Sequence, residues 1–116
     1  MDIESYAVKL HERAERFEAW TNVDLVGLVA IYIDCATAVA FVTNVSVDPA
    51  LRRTGVASSL MMQAIDFAAN AGCTIMELSV NEQNESAVAS YNRLGFRRTR
   101  RQGLTISMQR SLGTSA

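Results

Sequence analysis

Apolar positions along this chain change their period several times, and each change predicts an element. Ile3, Ala7, Leu10, Ala14 and Phe17 recur at helical spacing behind Asp2, a good cap, which predicts a helix over roughly the first 14 residues. From Phe17 the period tightens to two. Phe17, Ala19 and Thr21 alternate with Glu18 and Trp20, as in a half-buried strand, and residues 22–24 then turn the chain. Two long β-branched runs follow, 25–33 and 37–47, which should pair antiparallel about a turn at 34–36. Pro49, after Asp48, ends the second run, because proline cannot donate to a strand ladder.

The helical period returns at Ala57, Leu60, Met61, Ala64, Ala68 and Ala71, one stripe of a helix that Gly72 closes. Met61 and Met62 read as helix and core residues. Residues 75–80 form a short strand. Asn84 then caps a helix carrying Ala87, Val88, Tyr91 and Leu94 on one side, closed by Gly95. Strands starting at Phe96 and spanning 104–108 surround Gly103. The order is helix, three strands, helix, strand, helix, two strands. An antiparallel meander followed by crossovers implies a mixed α/β sheet with helices on its faces.

Composition narrows the class. The chain of 116 residues, 49% apolar and 20% charged, suits one globular domain over 1–116. A formal charge of −1 supplies no global field for nucleic acid or an anionic membrane. The stretch 25–42 is apolar for about the length of a membrane span, but Asp34 near its middle would cost about 3 kcal/mol in lipid. Two buried strands explain it without that cost. No apolar signal segment begins the chain, and Cys35 and Cys73 lack CxxC spacing; they read as buried thiols in a reducing compartment, the cytoplasm. His11 stands alone, and with two scattered cysteines no metal site is expected. The run 97-RRTRR-101 has no interleaved aromatics to stack bases and reads as a solvated edge strand.

The chemistry gathers at 51-LRRTGVASSL-60, a short basic loop and a glycine ahead of a helix. The first N–H groups of a helix lack internal partners, and its dipole adds about half a positive charge there. Gly55 lets an anion approach the backbone, Ala57 stays small, and Arg52 and Arg53 add charge at the rim. A capped helix with solvated arginines would look the same in this stretch alone. Neither GxxxxGK[ST] nor GxGxxG occurs, so the usual ATP and dinucleotide cradles lack support.

The segments 45-VSVDPALRRTGVA-57 and 84-NESAVASYNRLGFRR-98 together resemble the GNAT N-acetyltransferase superfamily, which binds acetyl-CoA. Its phosphate loop, Q/R-x-x-G-x-G/A, is matched by Arg52, Gly55 and Ala57. Its later pattern, N-x-x-A-x-x-x-Y-x-x-x-G-F, is matched by Asn84, Ala87, Tyr91, Gly95 and Phe96. The resemblance implies the acyl-CoA N-acyltransferase fold, with the strand before the loop splaying from the strand after the helix. Val45, Ser46 and Val47 would then bind pantetheine along the gap, which opens toward 75–80. The pyrophosphate would rest on N–H groups of Arg53, Thr54, Gly55, Val56, Ala57 and Ser58, and Asn84 would contact the cofactor arm. Arginines of 97–101 would reach the 3′-phosphate. Tyr91 would be the general acid for the departing thiolate, although a core tyrosine would sit at the same place.

The implied reaction moves an acetyl group to a primary amine, on a small molecule or a protein, by direct attack. The sequence also departs from the family. The resemblance marks an N-terminally shortened member whose first strand is missing, and a homodimer that covers an edge strand, with Trp20 as core or subunit patch, is one way to complete it. Thr43 stands where a glutamate base is common. The base is left open among Glu77, Glu82 and Asp34 acting through water, or an amine arriving neutral. Rival readings are a non-catalytic CoA-binding or interaction module and, more distantly, a nucleotide-binding domain.

Overall fold

The computed structural model describes residues 12–52 and 54–113. Strand β1 (Glu12–Thr21), β2 (Asp24–Asp34) and β3 (Val39–Val47) form the meander, and a 3-10 turn (Pro49–Leu51) leads to helix α1 (Val56–Asn70). Strand β4 (Ile75–Asn81), helix α2 (Glu85–Arg93), β5 (Arg97–Gln102) and β6 (Thr105–Ser111) complete the order. The expected N-terminal helix falls largely on residues outside the described ones, as does His11. Its end is corrected. Residues 12–14 are strand, since Glu12, Arg13 and Ala14 pair with Asp34, Ile33 and Tyr32. Pairing along the whole of β2 outweighs a helical spacing that rested here on Ala14 and Phe17.

One six-stranded sheet runs β1-β2-β3-β4-β6-β5, antiparallel except for the β3–β4 pair. That pair is short. Val39, Ala40 and Phe41 align with Ile75, Met76 and Glu77, and no rung follows. Beyond Phe41 and Glu77 the strands diverge, each holding its outer neighbour: Val45, Ser46 and Val47 stay paired with Val29, Leu28 and Gly27, while Leu78 to Asn81 stay on β6. The centre of the sheet therefore opens into a V toward the C-terminal ends of β3 and β4. A bulge puts Thr43 between two residues, Val42 and Asn44, that face Ile31 and Ala30.

Strand alternation sorts the sheet into two faces. Val29, Ile31, Ile33, Ala40, Met76, Leu78, Ile106 and Met108 fill one face and are buried with Leu60, Met61, Ala64, Ile65 and Ala68 of α1 and Val88 of α2. Each fully buried aliphatic side chain contributes about 1.5–3 kcal/mol, which makes this seam the main stabilising term. Both described helices lie on this face rather than on both. A Cβ added at Gly27 would meet Val56 and Leu60 of α1. On the same face of β6, Arg110 donates from Nε to the Leu94 carbonyl that ends α2, at 2.8 Å. Parallel crossovers stepping in one direction across a sheet place their helices on one side.

The α1 stripe is realised with changes at its edges. Ile65 joins the core, Ala71 becomes the exposed C-cap, and Met62 points to solvent at 41% exposure, because it follows Met61 around the helix, off the buried arc. Cys73 is buried, but Cys35 is exposed because it sits in the β2–β3 turn rather than in either strand. Phe17 packs edge-on against Phe67, whereas Trp20 lies on the other face, 55% exposed, with its indole donating to Glu18.

Candidate active site

The loop before α1 is built to leave backbone donors unpaired. Asp48 caps the 3-10 turn by accepting from Ala50 N–H, and the Thr54 hydroxyl donates to the Leu51 carbonyl. These local bonds fix the approach to Gly55, which takes φ 90° and ψ 1° as the helix N-cap. Only glycine holds that left-handed conformation without strain, and no atom lies within 4 Å of where its Cβ would be. No side chain caps this helix, and its first turn carries no acidic residue. The first described helical bond is Ser59 N–H to Gly55 carbonyl, so among the described residues the N–H groups of Val56, Ala57 and Ser58 have no acceptor.

Helix α2 makes the opposite choice. The Asn84 side-chain oxygen accepts from Ala87 N–H and from the Ser86 hydroxyl, both at 3.3 Å, as an ordinary cap. That leaves the Asn84 amide NH2 as its outward donor. The contrast leaves unpaired backbone donors, which suit an anion, at the start of α1 and not at α2. Arg52 is exposed at the rim, and Arg53 lies outside the described residues.

The uncapped start of α1 follows on the end of β3, at the mouth of the V. β3 ends at Val47, one residue before Asp48, so the strand edge carrying Val45, Ser46 and Val47 leads straight to the loop. Asn84 lies at the other side of the mouth, its N–H bonded to the Asn81 carbonyl at the end of β4. Tyr91 is seven residues on. It packs, half-buried, against the core on the helix face. Its ring meets Phe96 edge-on at 5.9 Å, and burial raises the phenol above its usual pKa. The proton is held at neutral pH.

The other face at the apex carries Glu77. It shares the last rung with Phe41, and Gln109 Nε2 donates to its Oε1 at 2.6 Å across to β6. The other candidate bases lie elsewhere. Asp34 accepts from Ala36 N–H in the turn at the closed end of the sheet, and Glu82 is bound to Arg101 at 2.6 Å. Thr43 gives its hydroxyl proton to the Ala30 carbonyl, 3.3 Å away. The arginines of β5 lie two strands from β4, on the sheet edge away from β3. Sequence reasoning missed Gln109. Its signal is only its strand parity with Glu77, which is invisible until β4 and β6 are paired. Among the described residues no cluster of His, Cys, Asp and Glu could hold a metal ion, and no helix is long and apolar enough to cross a membrane.

The chain is similar to known proteins over this whole frame. Residues 2–96 match the Acetyltransferase (GNAT) family. An uncharacterised N-acetyltransferase of Methanocaldococcus jannaschii is 40% identical over 58 residues, which is 50% of this chain and 26% of that relative; the match thus spans about a quarter of its length. The fold matches the ribosomal-protein-S18-alanine N-acetyltransferase of Escherichia coli with a TM-score of 0.79 at 22% identity, over 100% of this chain and 80% of the other. It also matches the PaiA N-acetyltransferase of Thermoplasma acidophilum in complex with coenzyme A, with a TM-score of 0.76 at 17% identity, over 94% and 66%. A splayed central sheet, an uncapped helix behind a left-handed glycine and a family match over most of the chain lead to one assignment: this chain belongs to the GNAT acetyltransferase family.

Proposed function

We propose that this protein is an acetyl-CoA-dependent N-acetyltransferase that acetylates a primary amine by direct attack. The observation that carries the reading is the uncapped start of α1, with three N–H donors behind Gly55, at the mouth of the V between β3 and β4. A strand gap suits the amide-bearing pantetheine arm, and a helix start suits a pyrophosphate. Val45, Ser46 and Val47 would pair with the arm, and Val56, Ala57 and Ser58 would hold the pyrophosphate with Arg52, Arg53 and Thr54 around it. The Asn84 amide NH2 would contact the arm near the mouth. Acetyl-CoA supplies an activated thioester when bound.

The protein's own residues then divide the proton work. Tyr91, on the helix face, gives its phenolic proton to the sulfur as the C–S bond breaks. Glu77, on the opposite face, takes the proton from the attacking nitrogen through water as the N–C bond forms. Gln109 holds the Glu77 carboxylate in place. A non-catalytic CoA-binding module draws its support from Thr43, which cannot serve as a base at neutral pH. Glu77 removes the need for one there. Thermal unfolding with acetyl-CoA, with ATP and NAD as controls, tests the binding half. Thiol release with a panel of amines tests the turnover half. Stabilisation by acetyl-CoA without thiol release from any amine would favour the module.

A further inference from the structure

Strand β5 carries Arg97, Arg98, Arg100 and Arg101 in five positions, all exposed, in a chain whose net charge is −1. Of these four arginines only Arg101 has a carboxylate partner among the described residues, Glu82. Charged side chains on an edge strand block unwanted strand pairing, and any arrangement of them would serve that purpose. The arrangement here is more specific. Regular alternation would place Arg97 on one face of the sheet and Arg100 on the other. A bulge at Thr99, pinned by its hydroxyl on the Ser107 carbonyl, breaks the alternation, so Arg97 aligns with Gln109 and Arg100 with Ser107. Gln109 and Ser107 are in turn the cross-strand partners of Glu77 and Ser79. Both arginines therefore fall on the Glu77 face, at the ends of two parallel rungs.

The first rung reads Phe41, Glu77, Gln109, Arg97 across β3, β4, β6 and β5. It begins at the apex of the V and ends in a guanidinium two strand spacings, about 9.5 Å, from Glu77 at the backbone. The second rung ends in Arg100 beside it. An amine approaching Glu77 from this face would lie over Gln109 with its far end toward two guanidinium groups that have no anion. The planar fork of arginine matches a carboxylate, and two together repel a second ammonium.

We propose that the acceptor is an amine that also carries a carboxylate, with Arg97 and Arg100 as the groups that select it. This rests on the acetyltransferase reading and names the substrate class for the same site. The test uses three acceptors of equal chain length: hexylamine, 6-aminohexanoate and 1,6-diaminohexane. Acetyl-CoA binding is first checked by thermal shift, and thiol release is then measured with each amine. Expected is a kcat/KM for 6-aminohexanoate at least tenfold above hexylamine, with the diamine slowest. The ratio should fall to about one in Arg97→Gln/Arg100→Gln. It should persist in Arg98→Gln, which removes the same charge from the same strand on the helix face.

Equal rates for the three amines, or preference for the diamine, would overturn the proposal while leaving the acetyltransferase reading intact. No stabilisation by acetyl-CoA would overturn both. If none of the three turns over, calorimetric titration of the CoA-loaded protein with 6-aminohexanoate decides. Binding that weakens at least tenfold in the double variant supports the clamp, and absence of binding refutes it.

Discussion

Gly55 and Gly72 bracket α1, and their similarity makes a matched experiment. Gly55 has φ 90° and Gly72 φ 92°, and neither has an atom within 4 Å of where a Cβ would stand. Alanine at either site meets no clash and costs only the left-handed backbone, about 1–2 kcal/mol. For a 116-residue chain the unfolding entropy is about 0.24 kcal/mol per degree, so each variant should melt roughly 4–8 °C lower, and by the same amount. Ligand response separates them. Acetyl-CoA at a hundred times its dissociation constant stabilises by about 2.7 kcal/mol, or roughly 11 °C. In Gly72→Ala that increment should survive intact. In Gly55→Ala the new methyl stands where an anion would meet the backbone, and a tenfold loss of affinity would cut the increment to about 1.4 kcal/mol, near 6 °C. Differential scanning fluorimetry with and without ligand reads all four numbers. Equal ligand increments in the two variants would refute the placement of the pyrophosphate at α1.

Tyr91→Phe should lower turnover by about 10²–10⁴-fold while acetyl-CoA affinity stays within a few-fold, and comparable losses in both would remove the acid role. Burial raises the folded phenol above its reference value of 10.0, so its stabilising contribution is present below that pH and is lost as pH rises beyond it. Urea titrations above pH 10 should therefore show a steeper decline in the parent than in Tyr91→Phe. Gly27→Ala would bring a methyl to 2.9 Å from Val56 Cγ1 and 3.1 Å from Leu60 Cδ1, and should cost about 1–3 kcal/mol in chemical denaturation. In the native protein a thiol reagent should label Cys35 promptly and Cys73 only on unfolding, since Cys35 is exposed, Cys73 is buried, and burial raises the Cys73 thiol pKa. Mass mapping of the labelled peptides checks this.

Local chemistry was legible in the sequence wherever one residue type had one plausible conformation. Gly55 and Gly95 have positive φ, Asn84 caps α2, and Pro49 opens the 3-10 turn that ends β3. What the sequence hid depends on neighbours distant along the chain. Cys35 reads as buried from its apolar neighbours, although the turn expected at 34–36 already contains it; a turn residue has no facing strand or helix to cover it, and the thiol is exposed. The strand parity of Arg100 is set by a single unpaired threonine, and no spacing rule on 97-RRTRR-101 discloses a bulge. The choice of Glu77 over Asp34 and Glu82 needed the register of β3 on β4. All three are acidic residues at or beside apolar strands; pairing puts Glu77 on the last rung, while Asp34 is engaged in the β2–β3 turn and Glu82 with Arg101.

The V between β3 and β4 also has a mechanical side. Three rungs join the two halves of a six-stranded sheet, and past Phe41 the halves are tied by α1 and the core alone. The weakest seam of the fold is thus the slot into which the pantetheine arm would fit. A ligand that pairs with both rims would act as a borrowed strand and close the seam. Backbone amides along residues 42–47 and 78–81 should then exchange slowly with solvent as a group when the slot is filled, and faster when it empties. On that view the protein is stiffest when charged and loosens with each release, so its rigidity would follow the turnover cycle.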